Sequence, residues 1–284
     1  MIRVLSLGAG VQSTALLCMS VDDVVPLYDF AIFADTGGEP KKVYDHLRIC
    51  EEECERAGIQ FVKVSAGDLR EQYLDALADD SKRYAGIPFH VKNPDGSHSM
   101  ARRHCTGDYK IKPIETYMRR QILGLKPRER APKEVVVEHH FGISYDEIMR
   151  VKDSQAKWKV HCYPFVGIGC TAAEDRMWKR HDCIKWLEEN RPGMEVTRSA
   201  CWYCPYHSND FWRWLRDDNP DEWDQAVEFD AQIRRAPHRE GKEMRGEQYL
   251  HRSNVPLPQA DLRTDAEKGQ PDLFNNECDG MCGA

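Results

Sequence analysis

The sequence has no stretch approaching the roughly 18–20 consecutive apolar residues of a membrane helix, which excludes a helical membrane protein. Its first residues, Met1-Ile2-Arg3-Val4-Leu5, lack the layout of a secretion signal. No Gly-Lys-Ser/Thr is present after a glycine-rich turn, so a Walker phosphate loop is excluded. No internal repeat is visible, which argues against a solenoid or propeller. An excess of positive charge is also missing. The chain carries 40 Lys and Arg against 47 Asp and Glu, a formal −7, and as a whole is no generic nucleic-acid binder. What remains is 284 residues, 41% apolar and 31% charged, with a mean hydropathy of −0.67. That is enough for one large domain, or one domain with an appendage, and too polar for an all-buried chain.

Charge and cysteine are unevenly placed. Residues 100–133 hold ten Lys or Arg against three acidic residues, a local +7 in an acidic chain. Such a zone fits an anionic substrate, and it equally fits a solvated helix face. Eleven cysteines without a secretion signal predict a cytoplasmic, reducing setting. There, thiols are core residues, metal ligands or reactive groups. At this frequency Cys201-x-x-Cys204 alone carries little weight.

Along the chain, Ile2–Leu7, Phe30–Ala34 and Phe61–Val64 read as strands, with helices over Ser13–Met19 and Lys41–Ala57 between them. That alternation predicts parallel βαβ units with right-handed crossovers. Residues 86–104 read as a loop. A helix is expected from Pro113 to Leu123, a fourth strand at Glu134–Phe141, a fifth at Cys162–Val166 and a helix at Ala172–Leu187. His139 and His140 end the fourth strand, one expected toward the core and one toward a site. From Ser199 the reading is helical without strands, and from Pro256 poorly ordered. The expected division is residues 1–198, 199–255 and 256–284.

The segment Gly8-Ala9-Gly10-Val11-Gln12-Ser13-Thr14 joins the first strand to the first helix. Small residues let backbone N–H groups approach an anion, the helix start adds free donors and a positive dipole end, and Ser13 and Thr14 bring hydroxyls. Gly8-x-Gly10-x-x-Ser13 nearly fits a dinucleotide fingerprint but lacks its third glycine. A tight turn with no ligand is the plainer alternative.

Several blocks, in order, resemble one family. Gly8–Thr14 resembles the pyrophosphate loop (PP-loop) of the adenine nucleotide α-hydrolase superfamily, departing from SGGxDS at Gly8, Ala9 and Gln12. Asp35-Thr36-Gly37, Cys105-x-x-x-x-Lys110-Ile111-x-Pro113-Ile114, Gly142-Ile143-Ser144-x-Asp146-Glu147-x-x-Arg150 and Cys201-x-x-Cys204-Pro205 resemble blocks of its phosphoadenosine-phosphosulfate (PAPS) reductase branch. Glu277-Cys278 is a faint echo of that branch's C-terminal motif.

The resemblance implies an α/β fold: a mostly parallel five-stranded Rossmann-like sheet with helices on both faces, plus a small helical C-terminal region. It implies adenine-nucleotide contacts at Gly8, Ala9, Gly10, Gln12, Ser13, Thr14 and Asp35, with Mg²⁺ as a further cation. Lys110, Arg150 and Cys278 are the implied catalytic residues. Cys105, Cys201 and Cys204 match three ligands of a [4Fe–4S] cluster, with Thr106 where the family has a fourth cysteine. Zinc is the rival metal, since His104 and His207 stand beside these cysteines. Cys278, Cys282 or a cysteine outside these motifs is the candidate for a fourth ligand, which would close the site.

Two chemistries fit. One is ATP-driven adenylation of an acceptor followed by thiolation, with a sulfur donor and an acceptor that is tRNA, DNA or a small molecule. The other is reduction of PAPS or APS to sulfite through a C-terminal cysteine. A catalytically inactive, metal-stabilised nucleotide-binding module is the reading from another class.

Overall fold

The computed structural model describes residues 1–79, 86–170, 177–196, 198–234, 246–264 and 267–269. In chain order its elements are β1 (Ile2–Ser6), α1 (Val11–Val21), β2 (Phe30–Asp35), α2 (Lys41–Ala57), β3 (Gln60–Ser65), α3 (Leu69–Ala78), β4 (His90–Lys92), β5 (His98–Met100), α4 (Lys112–Tyr117), β6 (Val137–Phe141), β7 (Lys159–Cys162), α5 (Arg180–Asn190), α6 (Asn209–Asp218), α7 (Pro220–Arg234) and β8 (Glu247–Tyr249). The chain forms two compact units. One is Met1–Ala66 with Thr106–Ser199; the other is Gly67–Cys105 with the described part of Ala200–Asp279. The second unit therefore draws on residues on both sides of the expected boundary at 198.

The first unit is built on an all-parallel sheet of order β3-β2-β1-β6-β7. Leu5, Leu7, Ala31 and Phe33 pack under α1, α2 and α5, with Leu16, Leu17, Val43, Leu47 and Leu187. Ten of the eleven α1 residues are buried, the polar Gln12, Ser13, Thr14 and Ser20 among them, because the helix is enclosed by the sheet, α2 and α5. Val4, Ile32 and Val137 face the other way, against Ile114 and Met118 on and beside α4. Helices thus cover both faces, which a parallel sheet needs in water.

Four expectations change. The fifth strand is Lys159–Cys162, and Pro164–Val166 is a 3₁₀ turn. Pro164 cannot donate to a ladder, which stops the strand where the sequence reading began it. The helix expected from Pro113 spans Thr106–Ile122, with π-type turns at Thr106–Ile111 and Met118–Ile122 around α4. Pro113 has no N–H to lose, so the hydrogen-bond period can change there. Residues 86–104 contain the β4–β5 hairpin, which joins β8 in an antiparallel sheet of order β5-β4-β8. Finally, part of the segment after Pro256 is packed: Leu257 and Leu262 are buried in the second unit. Of the helix expected at Ala172–Leu187, residues 172–176 lie outside the described residues, and α5 begins at Arg180.

Two buried histidines make stability pH-dependent. Burial pushes His46 on α2 and His251 after β8 down to about 4. Both are neutral in the fold, whereas an unfolded histidine titrates near 6.5. Their contribution is complete above pH 6.5 and falls as pH drops toward 4. Each is expected to cost about 2 kcal/mol at pH 5 relative to pH 7.5. Urea midpoints across that range check this; a flat profile refutes it.

Candidate functional site

The order β3-β2-β1-β6-β7 reverses direction at β1, so β1 and β6 form the switch point where open α/β sheets bind ligands. The loop after β1 lies there. Ala9 takes φ +56°, a left-handed turn, and is fully buried. Gly10 caps α1 in an extended conformation with no side-chain hydrogen bond to the helix start. Ser13 fixes the turn: its Oγ accepts from Gly8 N at 3.1 Å and donates to Gly10 O at 3.2 Å. The helix start keeps its dipole end and its donors for an anion.

Segments far apart in sequence converge on this turn. At Gly142, just past β6, a Cβ would lie 2.6 Å from Ser13 N and 2.8 Å from Gln12 C, so only glycine fits. The Gln12 amide donates to Ser144 Oγ at 3.3 Å and to Glu147 Oε2 at 3.1 Å. Glu147 Oε1 in turn accepts from Arg150 at 2.5 Å. Gln12 thus ties the turn to the Gly142–Arg150 block. Asp146 of that block accepts the backbone N–H of Arg180 at the start of α5.

A cavity of about 740 Å³ opens beside the turn. Ser6, Leu7 and Gly8 form one wall and Lys110 and Ile114 another. His139 and Phe141 of β6 line it with His161 and Tyr163, alternate residues on one sheet face. Phe141 and Tyr163 are stacked at 5.6 Å. Both ring nitrogens of the buried His139 lack a hydrogen-bond partner among the described residues. Burial, then the charge of Lys159, holds its pKa well below the usual value, so it enters the cavity wall neutral. Lys110 Nζ donates to Glu39 Oε1 at 3.3 Å, and Ser199 Oγ to Glu39 Oε2 at 3.3 Å. Lys159 Nζ holds Glu115 at 2.6 Å. The size suits a nucleotide, and the lining is apolar with a few polar groups.

Two expected nucleotide contacts have other work. Thr14 is fully buried, and its hydroxyl meets His46 Nε2 at 2.9 Å between α1 and α2. Asp35 Oδ1 accepts from Gly37 N at 2.9 Å and Tyr44 Oη at 2.8 Å, and Oδ2 meets Lys63 Nζ at 2.6 Å. Burial works to raise the Asp35 pKa, but Lys63, Gly37 and Tyr44 together hold it below the usual carboxylate value. It closes its own loop, and a cation there would have to displace Lys63.

Cys105, Cys201 and Cys204 all belong to the second unit. Cys201 and Cys204 share one turn, closed by Cys204 N donating to Cys201 O at 2.8 Å. His207 Nε2 contacts the same carbonyl at 2.7 Å, and its ring stacks on Phe211 at 3.5 Å. That nitrogen staples the turn. Cys278 and Cys282 lie outside the described residues.

Among the described residues, one group of three metal-ligating side chains comes together within 4.8 Å: His140, Cys162 and Cys170. The sequence reading passed over Cys162 and Cys170 as ligands. Their spacing matches no metal motif, and the pairing of β6 with β7 is what brings His140 to them.

No family model matches the sequence, and no curated protein matches it. Among solved structures, the phosphoadenylyl-sulfate (PAPS) reductase from Candida auris in its phosphate complex is similar over 67% of this chain and 73% of that chain, with 11% identity and a TM-score of 0.39.

Proposed function

We propose that the protein is an adenine-nucleotide-dependent sulfur-transfer enzyme of the PP-loop type. The observation that supports it most is the donor-rich turn at the start of α1, opening at the β1/β6 switch point on a nucleotide-sized cavity flanked by Lys110. The N–H groups of Ala9–Ser13 hold the phosphates, and Gln12 keeps the turn in register with Arg150. Lys110, drawn from Glu39, neutralises charge on the phosphate chain. Phe141 and Tyr163 offer ring surface to the base, and neutral His139 offers a hydrogen bond. An acceptor oxygen attacks the α-phosphorus, and pyrophosphate leaves with the electrons of the broken P–O bond. Sulfur from a donor then displaces AMP from the acceptor. Mg²⁺ arrives with the nucleotide's phosphates.

Cys105, Cys201 and Cys204 would hold the iron–sulfur cluster that the sequence resemblance implies. Three thiols in one unit, two of them in a single turn, are a donor set suited to it. Held by these three cysteines, such a cluster would supply the thiophilic iron chemistry that a sulfur-transfer reaction can use.

Gly10→Asp tests the reading. A Cβ at Gly10 meets nothing within 4 Å, so the fold is unaffected. The new carboxylate stands against phosphate and is expected to weaken ATP binding by at least about 100-fold. Calorimetric titration, with circular dichroism as the folding control, measures this. Unchanged affinity in a folded variant removes the loop from the site. Glu277-Cys278 favours the second reading, sulfonucleotide reduction. Sulfite release from PAPS or APS, without pyrophosphate release from ATP, would establish it. Binding with neither product would mark an inactive module.

A further inference from the structure

The strands that line the cavity on one face carry a different cluster on the other. His140 follows His139 in β6, so its side chain leaves the opposite side of the sheet, where its ring meets Tyr28 edge-on at 4.9 Å. Cys162, the last residue of β7, is its register partner. The chain then turns through Pro164–Val166, bridges Tyr163 to Ile168, and brings Cys170 back beside Cys162. Gly169 permits this return: its φ is +75°, and a Cβ there would lie 2.0 Å from His161 O.

We propose that His140, Cys162 and Cys170 form a zinc site in the nucleotide-binding unit, separate from the three cysteines of the other unit. Four observations meet here. Their ligand atoms lie within 4.8 Å of one another. Bonds of about 2.3 Å to sulfur and 2.0–2.1 Å to nitrogen space tetrahedral donors roughly 3.5–4 Å apart, so closure takes about 1 Å of contraction. Both ring nitrogens of buried His140 lack a hydrogen-bond partner among the described residues. Glu138 Oε2 stands 3.7 Å from Nε2 but is held by Arg3 at 3.1 Å. The buried Tyr28 hydroxyl, beside the same ring, is also unpaired among those residues. Buried polar groups of this kind mark a missing partner.

One imidazole and two thiols form a borderline-soft donor set that suits Zn²⁺ and not Mg²⁺ or Ca²⁺. Cys162 Sγ donates to Gly169 O at 3.1 Å, and Cys170 Sγ approaches Ile168 O at 3.6 Å. On binding, each sulfur turns from its carbonyl to the metal and loses its proton to solvent. Two thiolates cancel the charge of the ion, so the buried site stays neutral. Cys170 is only half-buried, which leaves the fourth position to water. The ion would clamp the 163–170 turn to the sheet.

The test uses the full reduced chain and Co²⁺ as the probe, then Zn²⁺ in competition. One Co²⁺ should bind with thiolate charge-transfer bands and tetrahedral d–d bands, and Zn²⁺ should bleach them. The Cys105→Ser/Cys201→Ser/Cys204→Ser variant should keep this spectrum. Cys162→Ser, Cys170→Ser and His140→Gln should each weaken metal binding by at least about 100-fold. In the wild-type chain, Zn²⁺ should protect Cys162 and Cys170 from alkylation, as mapped by mass spectrometry. That map decides the matter if a variant fails to fold. The proposal is overturned if the reduced chain gives no such spectrum, if the spectrum survives loss of Cys162 and Cys170, or if protection maps to other cysteines. Nucleotide affinity plays no part in these readouts, so the site stands or falls apart from the proposed function.

Discussion

Gly142→Ala is expected to lose nucleotide binding by at least about 100-fold and stability by about 1–3 kcal/mol, the cost of overpacking a tight contact. The added methyl would sit 2.6 Å from Ser13 N, 2.8 Å from Gln12 C and 2.9 Å from Ser13 Cα. All three are backbone atoms, so no rotamer change relieves the clash. The end of β6 or the start of α1 must move, and the start of α1 carries the N–H groups proposed to meet phosphate. Gly107→Ala is the control, because a Cβ there meets nothing within 4 Å. It should leave stability within about 0.5 kcal/mol of the parent. Nucleotide titration and urea unfolding on both variants check the pair. A Gly142→Ala protein with parental affinity and midpoint would break the link between β6 and the loop.

Asp230→Ala is expected to destabilise the second unit by about 3–5 kcal/mol, the scale for removing one partner of a buried ion pair. Asp230 is fully buried on α7. Its Oδ1 accepts from Leu250 N at 2.9 Å, its Oδ2 from Leu257 N at 2.9 Å, and Arg234 pairs with the same carboxylate. Alanine strands two backbone donors and one cation at once. Asp230→Asn, which keeps one acceptor, should fall between alanine and the parent. Hydrogen exchange offers a local reading: the Leu250 and Leu257 amides should lose protection in the alanine variant. Slow exchange at both would show that other contacts hold the segment.

The βαβ half of the fold was legible because its signals are local. The apolar runs at β1, β2 and β6 are separated by helix-forming stretches, and the small residues at 8–10 mark the turn. The antiparallel strands were not. His90–Lys92, His98–Met100 and Glu247–Tyr249 are three residues each and polar, and partners found far along the chain make them strands. Thr14 and Asp35 read as nucleotide contacts because nothing in the sequence announces His46, Tyr44 or Lys63 as their partners. The His140, Cys162 and Cys170 cluster was hidden for a related reason. Its geometry comes from strand register and one left-handed glycine, and the 21 residues between His140 and Cys162 carry no metal signature.

The small antiparallel sheet has a consequence for synthesis on the ribosome. Tyr73 donates its hydroxyl to Gln248 across 175 positions, and β4 takes β8 as its partner. At about 5–20 residues per second, the second half of that pairing emerges roughly 10–35 seconds after the first. In the finished unit Tyr73 and Phe89 are packed edge-on against each other and both against Phe229. Until α7 has left the exit tunnel, the two earlier rings lack that third ring. Over that interval the nascent chain presents two incompletely covered aromatic rings and a polar hairpin with an open edge, a surface for holding chaperones to cover until translation delivers its partner.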